Sequence, residues 1–141
     1  MSFARTEFPE SASLIEAFES GSHPELTHAD HLQVTWHYLQ RDGITRVLRD
    51  LPPKLLRYAW SKGHAEHYHE TITFAFVCLI NERLANDDDG ELDWPSFAKK
   101  NADLFDRDFL LRYYDTTTLG SQEARRVFVL PRPQQPTDAP A

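Results

Sequence analysis

The sequence predicts an all-α protein, a compact bundle of about five or six helices around a buried central helix over about 68–85. Three observations carry this. No stretch sustains the apolar–polar alternation of a half-buried strand. Helix start and stop signals recur along the chain. Residues 64–84, HAEHYHETITFAFVCLINERL, hold the longest apolar run, with no charge over 72–80. At helical spacing the lines 69, 72, 73, 76, 80 and 70, 74, 77, 81, 84 are apolar apart from His69, Thr73, Glu70 and Asn81. A helix apolar on most of its circumference is expected to be buried on most of it. The run falls short of the roughly 18 apolar residues of a membrane span.

The other elements follow in chain order. Residues 1–10 read as a flexible lead-in ending near Pro9, and Ser11 or Ser13 is placed to cap a short helix over 11–20 with Leu14, Ile15 and Phe18 inward. Gly21, Ser22 and Pro24 break it. Thr27 with Asp30 three residues on is a capping-box-like start, opening a helix over 28–41 whose stripe is Leu32, Thr35, Trp36 and Leu39. His37 falls off that stripe and is expected to face solvent. A third helix starts near Ile44 and runs to Gly63, and Pro52-Pro53 is expected to kink or divide it. After the central helix, Asp87, Asp88, Asp89 and Gly90 form an acidic turn, Trp94-Pro95 opens another helix, 107–114 a last aromatic-rich piece, and 121–128 a short turn. The helical domain spans 11–130, and 131–141 is a Pro-rich tail expected to be extended or disordered.

Composition narrows the function. One domain is the expectation at 141 residues, and a net charge of -7 disfavours nucleic acid and anionic membranes as partners. The single cysteine, Cys78, cannot form an internal disulfide and is expected to be a buried packing residue. The N-terminus shows no apolar signal-peptide core, so a reducing cytoplasm is the expected compartment. A homo-oligomer stays open.

The polar residues at helix starts are the functional signal. His28 and His31 share a helix face that continues the core stripe, and His69 and Glu70 likewise precede core positions. If those two helix ends meet, His28, His31, His69 and Glu70 form a set of three nitrogens and one carboxylate suited to Zn, Fe, Ni, Mn or Cu. The competing reading is a buried hydrogen-bond network without metal, since buried imidazoles need partners either way. Residues His64, His67 and His69 with Glu66 are a loop chelate for Cu or Ni in one reading and a solvated polar loop in the other. Glu-x-x-His occurs twice, as Glu25–His28 and Glu66–His69, a weak echo of di-iron bundles, but Glu25 precedes the Thr27 cap. His69-Glu70-Thr71-Ile72-Thr73 lacks the second histidine of a zinc protease, and a calcium loop centred on Gly90 would start at Ala85 and end at Ser96.

The elements Leu26-Thr27-His28-Ala29-Asp30-His31-Leu32, Trp36, Tyr38-Leu39, Tyr68-His69-Glu70-Thr71-Ile72-Thr73, Arg112-Tyr113-Tyr114 and Ser121 to Arg125 together resemble an uncharacterised group of small all-helical bacterial proteins. The group carries an H-x-x-H-L element followed by Y-H-E-T, and the likeness spans most of 14–131. It implies a helical fold with His28, His31, His69 and Glu70 as the shared polar positions. This chain departs from it at Asp30 and at Pro52-Pro53.

The resulting functional expectation is a small-molecule metalloprotein, a metal-dependent enzyme with one divalent metal on His28, His31, His69 and Glu70. Glu70 would be the fourth ligand or the general base, with Tyr68 a catalytic proton donor and Tyr113 an outer substrate contact. Hydrolytic, lyase and oxygen chemistry all fit. The alternative is a metal-free small-molecule-binding or protein-interaction module in which the same residues form a structural network.

Overall fold

The computed structural model describes residues 9–87 and 93–132. Among them it shows seven α-helices and no strand: α1 (Pro9–Ser20), α2 (His28–Asp42), α3 (Ile44–Ser61), α4 (Glu70–Ala85), α5 (Trp94–Lys100), α6 (Thr116–Leu119) and α7 (Gln122–Arg126). Single 3-10 turns occupy Ala65–His67, Ala102–Phe105 and Phe109–Arg112. The first eight residues of the lead-in, positions 88–90 of the acidic turn and the tail beyond 132 lie outside the described residues. The all-α bundle is therefore the observed architecture. No described helix is long and apolar enough to cross a membrane.

The start of α2 follows the sequence signal closely. Thr27 Oγ1 accepts from the Asp30 N–H at 3.1 Å, and Asp30 Oδ2 accepts from the Thr27 N–H at 3.1 Å. Two of the helix's unpaired N-terminal donors are thereby satisfied. Past this cap, α2 packs against α1, α3, α4 and the Ala102–Phe105 turn. Enclosure from four sides buries Leu32 and every residue from Val34 to Leu39. Trp36 is fully buried, its ring 5.5 Å from Trp94 and 6.2 Å from Phe97. His37, expected at the surface, is 7% exposed for the same reason: the middle of α2 has no solvent face.

α3 runs undivided through Pro52 and Pro53. The missing N–H groups would have served the carbonyls of Leu48 and Arg49, four residues back. Both of those residues reach the surface, where water can take over the lost bonds, so the helix continues.

α4 packs against α2, α3 and α7. Thr71, Val77 and Ile80 have no exposed surface. Its apolar circumference is not wholly covered, however: Ala75 is half-buried, and Cys78 is exposed rather than packed in the core. On the other flank the chain after α7 lies along the start of α4. Thr71 Oγ1 donates to the Val127 carbonyl at 2.9 Å and accepts from the Val129 N–H at 3.0 Å. Tyr114 Oη donates to the Val129 carbonyl at 2.7 Å.

Thr71→Val keeps the shape but leaves the buried Val129 N–H without its partner and removes the bond to the Val127 carbonyl. It should cost about 1–3 kcal/mol of stability in urea unfolding. A variant as stable as the parent would show that the segment 127–129 does not depend on this hydroxyl.

Candidate functional site

The site begins where α3 stops. Gly63 has φ of 78°, a left-handed conformation that side chains with a Cβ rarely adopt. It allows a Schellman ending: the Gly63 N–H bonds the Trp60 carbonyl at 3.0 Å and the His64 N–H bonds the Ala59 carbonyl at 2.8 Å. His64 therefore leaves the helix at a fixed angle. The chain then winds one 3-10 turn, closed by the His67 N–H on the His64 carbonyl at 2.8 Å. In 3-10 geometry side chains three apart eclipse one another. The imidazoles of His64 and His67 accordingly stack, with ring centroids 4.7 Å apart and planes 4° from parallel. Glu66 Oε2 lies 3.9 Å from His64 Nδ1 and 3.7 Å from His67 Nε2. From 59 residues away in sequence, Arg125 donates to the Glu66 carbonyl at 2.8 Å and ties the turn to α7.

This turn forms one wall of a cleft of about 480 Å³. The other walls come from the approach to α2, with Glu25, from the first turn of α2, with His31, and from the end of α3, with Tyr58 and Lys62. Most of the polar groups here are already engaged. Tyr58 Oη donates to the His23 carbonyl at 2.5 Å, Lys62 Nζ to the Gly21 carbonyl at 2.8 Å, and Tyr68 Oη to Glu70 Oε1 at 2.5 Å. Desolvation and the Glu70 carboxylate both push the Tyr68 phenol well above its usual range, so it stays protonated. What remains for a ligand is Glu25 and three imidazoles: His31, His64 and His67.

His31 lies in the first turn of α2, exposed on the cleft. Desolvation, and then the neighbouring His28, hold its pKa down to about 4. Among the described residues its ring makes no hydrogen bond. It is thus a neutral imidazole with spare capacity at neutral pH.

The four residues singled out by sequence are not brought to one point. His28 Nε2 sits 3.0 Å from the Leu104 carbonyl, and its ring meets Phe76 edge-on at 5.1 Å. His69 is the N-cap of α4: Nδ1 accepts from the Ile72 N–H at 3.1 Å while Nε2 donates to the Leu119 carbonyl at 2.7 Å. With both nitrogens committed and the ring buried, His69 has none left for a metal. Burial also lowers its pKa. Glu70 is held by Tyr68, and Tyr113 lies on a different cleft. Among the described residues, the one group of three or more ligating side chains with atoms within 4.8 Å of one another is His64, Glu66 and His67. Sequence reasoning placed these second because a histidine-rich loop is usually just solvated. Gly63 was the available signal, since it marks where a helix must end and a defined turn begin. Lys62 and Arg125 carried none. No protein family, curated protein or solved structure matches the chain.

The titration of His31 predicts an acid-sensitive fold. An unfolded imidazole takes its proton near 6.5 and this one only near 4. Between those values the unfolded chain binds more protons, so stability falls as pH drops from 6.5 toward 4. His69 acts in the same direction. Asp42, bonded by Arg41, and Asp103, bonded by Arg83, are held below the carboxylate range and extend the loss to lower pH. The gap in urea-unfolding stability between pH 7 and pH 4.5 should narrow in His31→Asn. An unchanged gap would show that His31 titrates like a free imidazole.

Proposed function

We propose that the protein is a small-molecule metalloprotein, a metal-dependent enzyme. It binds one divalent metal through His64, Glu66 and His67 and its substrate in the adjoining cleft. The single observation that carries this reading is the convergence of three imidazoles on one cleft, where every neighbouring hydroxyl and the lysine are already spent on internal bonds. Two of the three stack beside a shared carboxylate oxygen, which supports a chelating role.

Two imidazoles and one carboxylate suit Zn, Ni, Cu or Fe, and Mn more weakly. Three protein ligands leave coordination positions for water or substrate, and a metal held there supplies Lewis acidity toward either. The chain's own residues do the rest. Arg125 holds the turn that carries all three ligands. His31, neutral and unbonded, is placed to accept a hydrogen bond from whatever occupies the cleft. Tyr68 keeps its proton and spends it on a hydrogen bond to Glu70. His28 and His69 belong to the hydrogen-bond network that fixes the helix starts, which is the metal-free reading confined to those two residues.

Equilibrium dialysis of the chelator-treated chain against Ni²⁺, Zn²⁺ or Cu²⁺ tests this, with bound metal counted by elemental analysis. One metal per chain is expected. His64→Ala and His67→Ala should each weaken binding by tenfold or more while leaving thermal stability unchanged. His31→Ala should retain the metal. His69→Ala should retain it as well and lose about 1 kcal/mol of stability or more through its cap. Metal that survives a His64/His67 double substitution, or a parent chain that takes up none, would contradict the proposal.

A further inference from the structure

A second cleft, of about 550 Å³, is bounded by the same 3-10 turn, by α3 and by α7. Its charged groups are sorted by element. Both guanidiniums, Arg125 and Arg126, come from the last turn of α7. Both carboxylates, Glu66 and Glu70, come from the 3-10 turn and the first turn of α4. Leu56 of α3, 43% exposed, and Ala65 supply the apolar part of the lining.

The two signs share the cleft without closing on each other. Glu66 Oε2 is turned to the His64 and His67 imidazoles, and Glu70 Oε1 accepts the Tyr68 hydroxyl. Arg125 uses Nη1 on the backbone carbonyl of Glu66 and not on its carboxylate. The Arg126 side chain forms no hydrogen bond or ion pair with the described residues. Opposite charges held apart across a cleft are satisfied by a ligand that carries both signs, whereas a ligand of one sign is repelled by one wall. The Arg125 bond also brings the two walls together at one point. The ligand's two charges must therefore lie close to each other, as the ammonium and carboxylate of an α-amino acid do.

We propose that this cleft is a second ligand site, for a free α-amino acid with an apolar side chain. Arg125 and Arg126 take its carboxylate, to which the planar N–H fork of a guanidinium is matched. Glu70 takes its ammonium group, since Glu66 Oε2 already faces two imidazoles. Leu56 and Ala65 take its side chain.

The chelator-treated chain separates this site from any metal at Glu66. Amide NMR shifts of Ala65 and Gln122 are followed against three compounds of one shape. L-leucine carries both charges, 4-methylpentanoate only the carboxylate and 3-methylbutylamine only the ammonium group. Expected is saturable binding, with leucine about fivefold tighter than either single-charge compound. Arg126→Gln should bring leucine and the amine to within about twofold, and Glu70→Gln should do the same for leucine and 4-methylpentanoate. Both variants should unfold in urea where the parent does, because Arg126 holds nothing and the new amide oxygen at 70 still accepts the Tyr68 hydroxyl. A His64→Ala/His67→Ala chain should bind leucine as the parent does, so the fate of the metal site and of this one are read independently. Leucine bound no more tightly than either analogue, a preference that survives both charge substitutions, or no shift at about 10 mM leucine would overturn the proposal.

Discussion

The N-terminal end of α4 is buried, and its polar groups must be satisfied inside the protein. A helix start leaves four N–H groups without intrahelical partners. Here the His69 ring takes one of them, at Ile72, and passes its other nitrogen to the Leu119 carbonyl. Thr71, two residues on, bonds both the Val127 carbonyl and the Val129 N–H. These bonds hold the residues around α6 and α7 against α4. Arg125 then reaches from α7 to the turn at Glu66. The geometry of the imidazole-lined wall thus depends on a cap made several residues downstream.

That constraint divides the histidines into two kinds. His28 and His69 are hydrogen-bonded to carbonyls of the C-terminal half of the chain and fix its position. His31, His64 and His67 line a cleft in which the surrounding tyrosines and Lys62 already have partners. An internally satisfied wall keeps its shape while presenting a few unsatisfied groups, which is what a preorganised site requires. Desolvation and the neighbouring His28 disfavour the charged form of His31 and leave a lone pair for a ligand.

Local chemistry was legible in the sequence and long-range contact was not. Thr27 and Asp30 announced their capping box, and the lack of strand periodicity settled the fold class. Glycine at 63 marked the end of α3 and, in retrospect, the place where a rigid turn would present His64 and His67. Helical spacing correctly set His28, His31, His69 and Glu70 at two helix starts, but spacing along each helix says nothing about which carbonyl lies opposite. Leu104 is 76 residues from His28, and Leu119 is 50 from His69. Those distant carbonyls made structural residues of two expected ligands. His37 and Cys78 were misplaced for a related reason: burial of a helix face depends on the number of neighbours, and α2 has more of them than its stripe implied, while α4 has fewer.

The division of the histidines is tested most directly by substoichiometric Cu²⁺ added to the metal-free chain, with each imidazole followed by NMR through its paramagnetic broadening. The account predicts that the His64 and His67 resonances vanish first and that His31, on the same cleft, follows. His28, His37 and His69 should stay sharp until excess metal is present. Early loss of the His28 or His69 signals would show that the buried pair, and not the stacked pair, is the metal-binding end of the molecule.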